Sequence, residues 1–127
     1  MPILEGFVPF DFSEGAPYVS ITANGMTFNK SVSIKMNYPE YARLLINSDE
    51  KKIALVTTTE DDKMGAKFCK GKDAEILSVR WNSKDLMSTI IRLMDWPLEE
   101  KSYKVDGEHI AEGNIMLFDL KLAKELK

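Results

Sequence analysis

The chain has 127 residues, 44% hydrophobic and 29% charged, with a formal net charge of −3. That length fits one domain, and such a chain buries enough surface to hold a core without disulfides or metal. One cysteine, Cys69, and one histidine, His109, exclude an internal disulfide and a zinc site built from those residue types.

No run approaches the roughly 18 apolar residues that a membrane span needs. The opening MPILEGFVPF has no basic n-region and carries Glu5, unlike a secretory signal. A cytoplasmic protein without cofactor is the expectation. Only residues 20–58 are net positive, with Lys30, Lys35, Arg43, Lys51 and Lys52 against Glu40, Asp49 and Glu50. A nucleic-acid footprint is a clustered basic face. The acidic balance therefore argues against a strong non-specific binder and leaves room for a local basic patch.

In chain order, residues 1–16 are apolar and broken by Pro2, Pro9 and Gly15, with Phe10 and Phe12 alternating about Asp11. They read as an extended arm that closes the domain's own core, since aromatics are normally buried; the functional alternative is an exposed docking arm. Tyr18 to Ile21 reads as a strand, Asn24-Gly25 as a hairpin turn, and Met26-Thr27-Phe28 as the return. Asn29 is placed to cap a short helix through about Met36, with Val32 and Met36 on one face, and Pro39 stops it. Tyr41 to Ile46 and Ile53 to Thr58 form a second hairpin about Ser48–Lys51.

Residues 59–75 read as a polar loop around Phe68-Cys69. Ile76 to Trp81 is a strand, and Asn82 or Ser83 caps the clearest helix, about 83–95, with Leu86, Met87, Ile90, Ile91, Leu93 and Met94 in one stripe. A third hairpin covers 101–120, turning at Ala111–Asn114, and LKLAKELK reads as a short terminal helix.

The two halves, about 17–58 and 76–120, share an order: extended stretch, cap, helix ending near Tyr38-Pro39 or Trp96-Pro97, then hairpin. The fold class that follows is α+β, one domain of two βαββ units forming a small, mostly antiparallel barrel or sheet with short helices.

The run from Val19 to Lys30, a short helix to Met36 and strand-turn-strand to Val56 resembles the AbrB-type swapped-hairpin family of transition-state regulators and antitoxins. That family interleaves two copies of a 45–50-residue unit into one barrel, so two units in one chain imply a barrel built intramolecularly. Asn29 stands where the family prefers proline, Lys35 where arginine is usual, and the second half lacks the glycine turn. The resemblance implies transcription-regulatory DNA binding through Lys30, Lys35 and Arg43, with Asn24 as a polar contact. It leaves the chain as a monomer or a homodimer.

Other candidates read better as structure than as chemistry. Arg80-Trp81 would stack or hold a cation–π contact, but alternation points Arg80 outward and buries Trp81. His109 has no nucleophile or orienting acid beside it, because Asp106 and Glu108 are out of register with it on the strand. Asp61-Asp62 and Glu99-Glu100 fall in solvated turns, and Cys69 reads as an inert thiol. No phosphate loop or nucleophile elbow occurs, so the reading is not an enzyme. A wide Met-rich stripe on the 83–95 helix keeps open a second function, a protein–protein interaction module without DNA affinity.

Overall fold

A computed structural model describes residues 2–9 and 15–126. The strands are β1 (Tyr18–Thr22), β2 (Gly25–Phe28), β3 (Tyr41–Asn47), β4 (Lys52–Thr58), β5 (Ala66–Lys67), β6 (Val79–Trp81), β7 (Ser102–Ile110), β8 (Ile115–Asp119) and β9 (Lys124–Leu126). Two helices join them, α1 (Lys30–Lys35) between β2 and β3 and α2 (Lys84–Met94) between β6 and β7.

Among the described residues every strand pairing is antiparallel, in the order β5-β3-β4-β8-β7-β1-β2-β6, with β9 sharing the β8 flank of β7, opposite β1. The product is one curled, half-barrel sheet of nine strands with two short helices, a small α+β domain. Strand β7 belongs to both arcs: its first part pairs with β1 and β9, and from Gly107 onward it pairs with β8. Across the open seam of the curl, the Trp81 indole N–H on β6 donates to the Lys67 carbonyl on β5 at 2.9 Å.

Alternation decides the core. Val19, Ile21, Met26, Phe28, Ile53, Leu55, Val105, Met116 and Phe118 all point inward and are buried. The rings of Phe28, Phe68, Trp81 and Phe118 meet there, with Phe28 5.3–5.8 Å from each of the other three. Val32 of α1, Met36 just after it, and Met87 and Ile90 of α2 complete the apolar cluster.

At the level of single residues, one expected cap forms and two expectations shift. The first hairpin turns at Ala23-Asn24, one residue earlier than expected. Gly25 opens β2 at φ +137°, where an added Cβ would sit 2.7 Å from the Trp81 carbonyl, so the glycine serves the close approach of β6. Ser83 caps α2 as expected, accepting from the Leu86 N–H. Asn29 takes the cap position of α1, but its side chain bonds Tyr18 N and Ala16 O instead of the helix.

Other expectations are corrected. The 59–75 loop contains β5, which pairs with β3 and delivers Phe68 and Cys69 into the core. The strand expected from Ile76 starts only at Val79; Ile76 is exposed, and the Leu77 carbonyl accepts the Ser33 hydroxyl at 2.7 Å. The terminal helix is instead a 3-10 turn at Leu120–Leu122 followed by β9. The Asp119 carboxylate caps that turn at Lys121 N, and the unpaired flank of Ser102–Lys104 then offers ladder bonds that a helix this short cannot match.

Phe10, Asp11 and Phe12 of the expected arm lie outside the described residues. Ile3, Leu4, Phe7 and Val8 do not close the core, being 70–85% exposed. The helices already supply the apolar cover that the arm was expected to give.

Candidate nucleic-acid interface

The four expected contact residues are not brought onto one surface. Asn24 is exposed at the tip of the β1–β2 hairpin, its N–H held by the Thr22 hydroxyl at 3.0 Å. Lys30 and Lys35 are the first and last residues of α1. Five positions apart, they point roughly 140° from each other around the helix.

Arg43 lies on the outer face of β3 and is committed elsewhere. Its Nε and Nη2 reach the two Asp62 carboxylate oxygens at 2.9 and 2.7 Å. The same carboxylate also accepts from the Thr58 hydroxyl and the Met64 N–H. Arg43, followed by Thr58 and Met64, holds the Asp62 carboxyl well below the usual carboxylate range, and Asp62 in turn raises Arg43. The bidentate pair ties the loop after β4 to the sheet and neutralises the guanidinium.

What the sheet does bring together is a different row. Registers place Lys124, Lys104, Ser20, Thr27 and Arg80 directly opposite one another across β9, β7, β1, β2 and β6. Direct opposition puts all five on one face, the outer one, because their neighbours Val19, Ile21, Met26, Tyr103 and Val105 are buried. At about 4.8 Å per strand the row spans roughly 19 Å. The Arg80 Nε donates to the Thr27 hydroxyl at 3.3 Å, and the Lys104 ammonium stands 4.3 Å from the centre of the Tyr18 ring.

Lys30 borders the same face. A shallow groove of about 390 Å³ is lined by Lys30 together with Tyr18, Ser20 and Thr27, and by Glu75 and Leu77 from the segment before β6. Lys30 thus joins Arg80 and Lys104, while Arg43 belongs to the other arc of the sheet.

Lys104 and Lys124 were not singled out by sequence. Tyr103 and Val105 are buried on alternate positions of β7, which turns Lys104 outward, and its partner Lys124 lies in the segment expected to be helix, which is strand β9. Arg80 does point outward from β6 and Trp81 does pack inward against Phe28 and Phe68.

The remaining candidates have structural partners. His109 Nε2 bonds the Asn114 Oδ1 at 2.8 Å, and Asn114 Nδ2 reaches the Met36 carbonyl at 2.9 Å and the Thr57 hydroxyl at 3.1 Å. Cys69 is buried, with its sulfur accepting from Gly71 N. Among the described residues, no group of three or more His, Cys, Asp or Glu is placed to hold a metal ion, and no helix is long and apolar enough to cross a membrane. Comparison with protein-family models, curated proteins and solved structures returns no match to this chain.

Proposed function

We propose that the chain is a non-enzymatic, AbrB-like DNA-binding regulatory protein, built as two βαββ units in tandem. The duplex lies on the outer face of β9-β7-β1-β2-β6. Two features of the pairing support the tandem reading. Strands β2 and β6 pair about Thr27 and Arg80, and β4 and β8 pair about Ala54 and Leu117. In each case equivalent strands of the two halves pair with one another, as a pseudo-two-fold arrangement requires.

The observation that carries the functional reading is the direct opposition of Lys104 and Lys124. Like charges facing each other across a ladder cost stability, and a phosphate backbone relieves that cost. Arg80 and Lys30 extend the positive stripe, with Ser20 and Thr27 between them as hydroxyl donors to phosphate oxygens. Asn24, at the tip of the same hairpin, adds a polar contact.

The test is an anisotropy titration with random duplex at about 50 and 200 mM salt. The wild type binds with an affinity that falls steeply with salt. Arg80→Glu/Lys104→Glu removes most of that affinity and flattens the salt slope by about 0.9 for each phosphate no longer neutralised. Lys35→Glu on the far end of α1 changes little. Absence of binding at low salt would remove the DNA reading. It would leave the second one, a protein-partner module, which rests on the exposed Ile3, Leu4, Phe7 and Val8.

A further inference from the structure

We propose that the outer edge of β3 pairs antiparallel with the same edge of a second copy of this chain, about a two-fold axis at Leu45. This inference is independent of DNA binding and concerns the opposite arc of the sheet.

The edge is open over five residues. β5 covers β3 only at Tyr41 and Ala42, and among the described residues no strand lies beyond Arg43–Asn47 on that side. The direction of each backbone group follows from the ladder. The Phe68 N–H donates to the Glu40 carbonyl at 2.8 Å on the β5 side, so even-numbered residues of β3 face outward and odd-numbered ones face β4. The N–H and C=O groups of Leu44 and Ile46 therefore point into solvent.

Four groups with this spacing ask for an extended strand. A second β3 supplies one: Leu44 stands opposite the second copy's Ile46 and Ile46 opposite its Leu44. Each pair exchanges two N–H···O bonds, so all four free groups of each copy are satisfied.

The side chains agree with that partner. Natural edges are commonly guarded by lysine, proline or a bulge. Here Leu44, Leu45 and Ile46 are consecutive, Leu45 is 45% and Ile46 38% exposed, and the adjacent Arg43 is neutralised by Asp62. Leu45 is the outer-face member of a row with Ala54 and Leu117. Two-fold pairing puts Leu45 against its own copy and makes one aliphatic row across six strands, without a charge facing a like charge.

A five-residue edge falls well short of the roughly 800 Å² per partner of a standard interface. The dimer is accordingly concentration-dependent.

Sedimentation equilibrium from about 1 µM to 1 mM tests it. The wild type rises from 14.4 kDa toward twice that mass. Ile46→Pro removes an edge N–H that bonds nothing among the described residues, so it stays at the monomer mass with an unchanged circular dichroism spectrum. Leu45→Lys, which sets two cations face to face on the axis, gives the same result if the proline variant fails to fold. Oxidation of Leu45→Cys yields a disulfide-linked dimer, because residues on the axis approach closely, whereas Asn47→Cys, which faces Arg43, does not. A wild type that stays monomeric throughout overturns the proposal. So does a folded Ile46→Pro or Leu45→Lys that dimerises as the wild type does.

Discussion

Lys51 and Asn114 hold the same place in the two long hairpins and make the same contact. Each is the residue just before the returning strand, with φ of 55° and 50° respectively. Lys51 Nζ donates to the Leu93 carbonyl in the last turn of α2 at 3.0 Å, and Asn114 Nδ2 donates to the Met36 carbonyl at the end of α1 at 2.9 Å. The contacts cross: the first-half hairpin caps the second-half helix, and the reverse. Carbonyls at a helix C-terminus have no intrahelical donor, so each hairpin satisfies what the other half leaves open.

Removing these donors should loosen the opposite half. Asn114→Ala loses the bonds to Met36, Thr57 and His109 and leaves the positive φ to a residue that tolerates it less well than asparagine, for a cost of about 2–3 kcal/mol. Asn114→Gly loses the same bonds without the backbone strain and should cost less. Lys51→Met keeps the aliphatic stem and should cost about 1 kcal/mol. Urea midpoints measure the totals. Hydrogen exchange then shows α1 opening in the Asn114 variants and α2 in Lys51→Met. Loosening confined to each mutated hairpin would contradict the crossed capping.

Gly107 sits where β7 leaves one arc of the sheet for the other. A Cβ there would meet the Met116 sulfur and a Phe118 ring carbon, each at 2.9 Å, and both side chains are fully buried. Neither has space to yield, so Gly107→Ala overpacks the core at a cost of roughly 1–3 kcal/mol. A thermal melt should fall by roughly 4–10 °C. Gly71→Ala adds a Cβ that touches nothing within 4 Å, so its cost is backbone strain alone. An alanine at 107 that melts with the wild type would show that β7 shifts to admit it.

The hairpins and α2 were legible because their signals are local. Val19, Ile21, Met26 and Phe28 alternate, Ser83 caps, and the α2 stripe repeats at helical spacing; each needs only its neighbours. What stayed hidden depends on partners far along the chain. Residues 66–67 become a strand because β3 leaves its edge open at Tyr41 and Ala42, and 124–126 because β7 leaves a flank at Ser102–Lys104. The basic row escaped notice for the same reason, since Lys104, Lys124 and Arg80 are brought together only by cross-strand register. Arg43 illustrates the converse: its charge was visible, but Asp62, nineteen residues on, was not visible as its partner.

That pair carries a pH signature. The Arg43 hydrogen bonds depress the folded-state pKa of Asp62 below its unfolded value, so the carboxylate stabilises the fold fully above the ordinary carboxylate range. The contribution is lost as pH falls through the folded value. Urea midpoints for the wild type and Asp62→Asn should therefore differ by a constant amount from pH 7 down to about pH 4 and converge only below it. Asp119, whose carboxyl burial would raise but which Lys121 and Lys52 hold low, contributes to the acid limb of both proteins and cancels in the difference. The variant also frees the guanidinium. Because Arg43 lies on the arc away from Lys104 and Arg80, Asp62→Asn should leave the salt slope of duplex binding unchanged. A slope that steepens by about 0.9, the equivalent of one further phosphate neutralised, would return Arg43 to the interface.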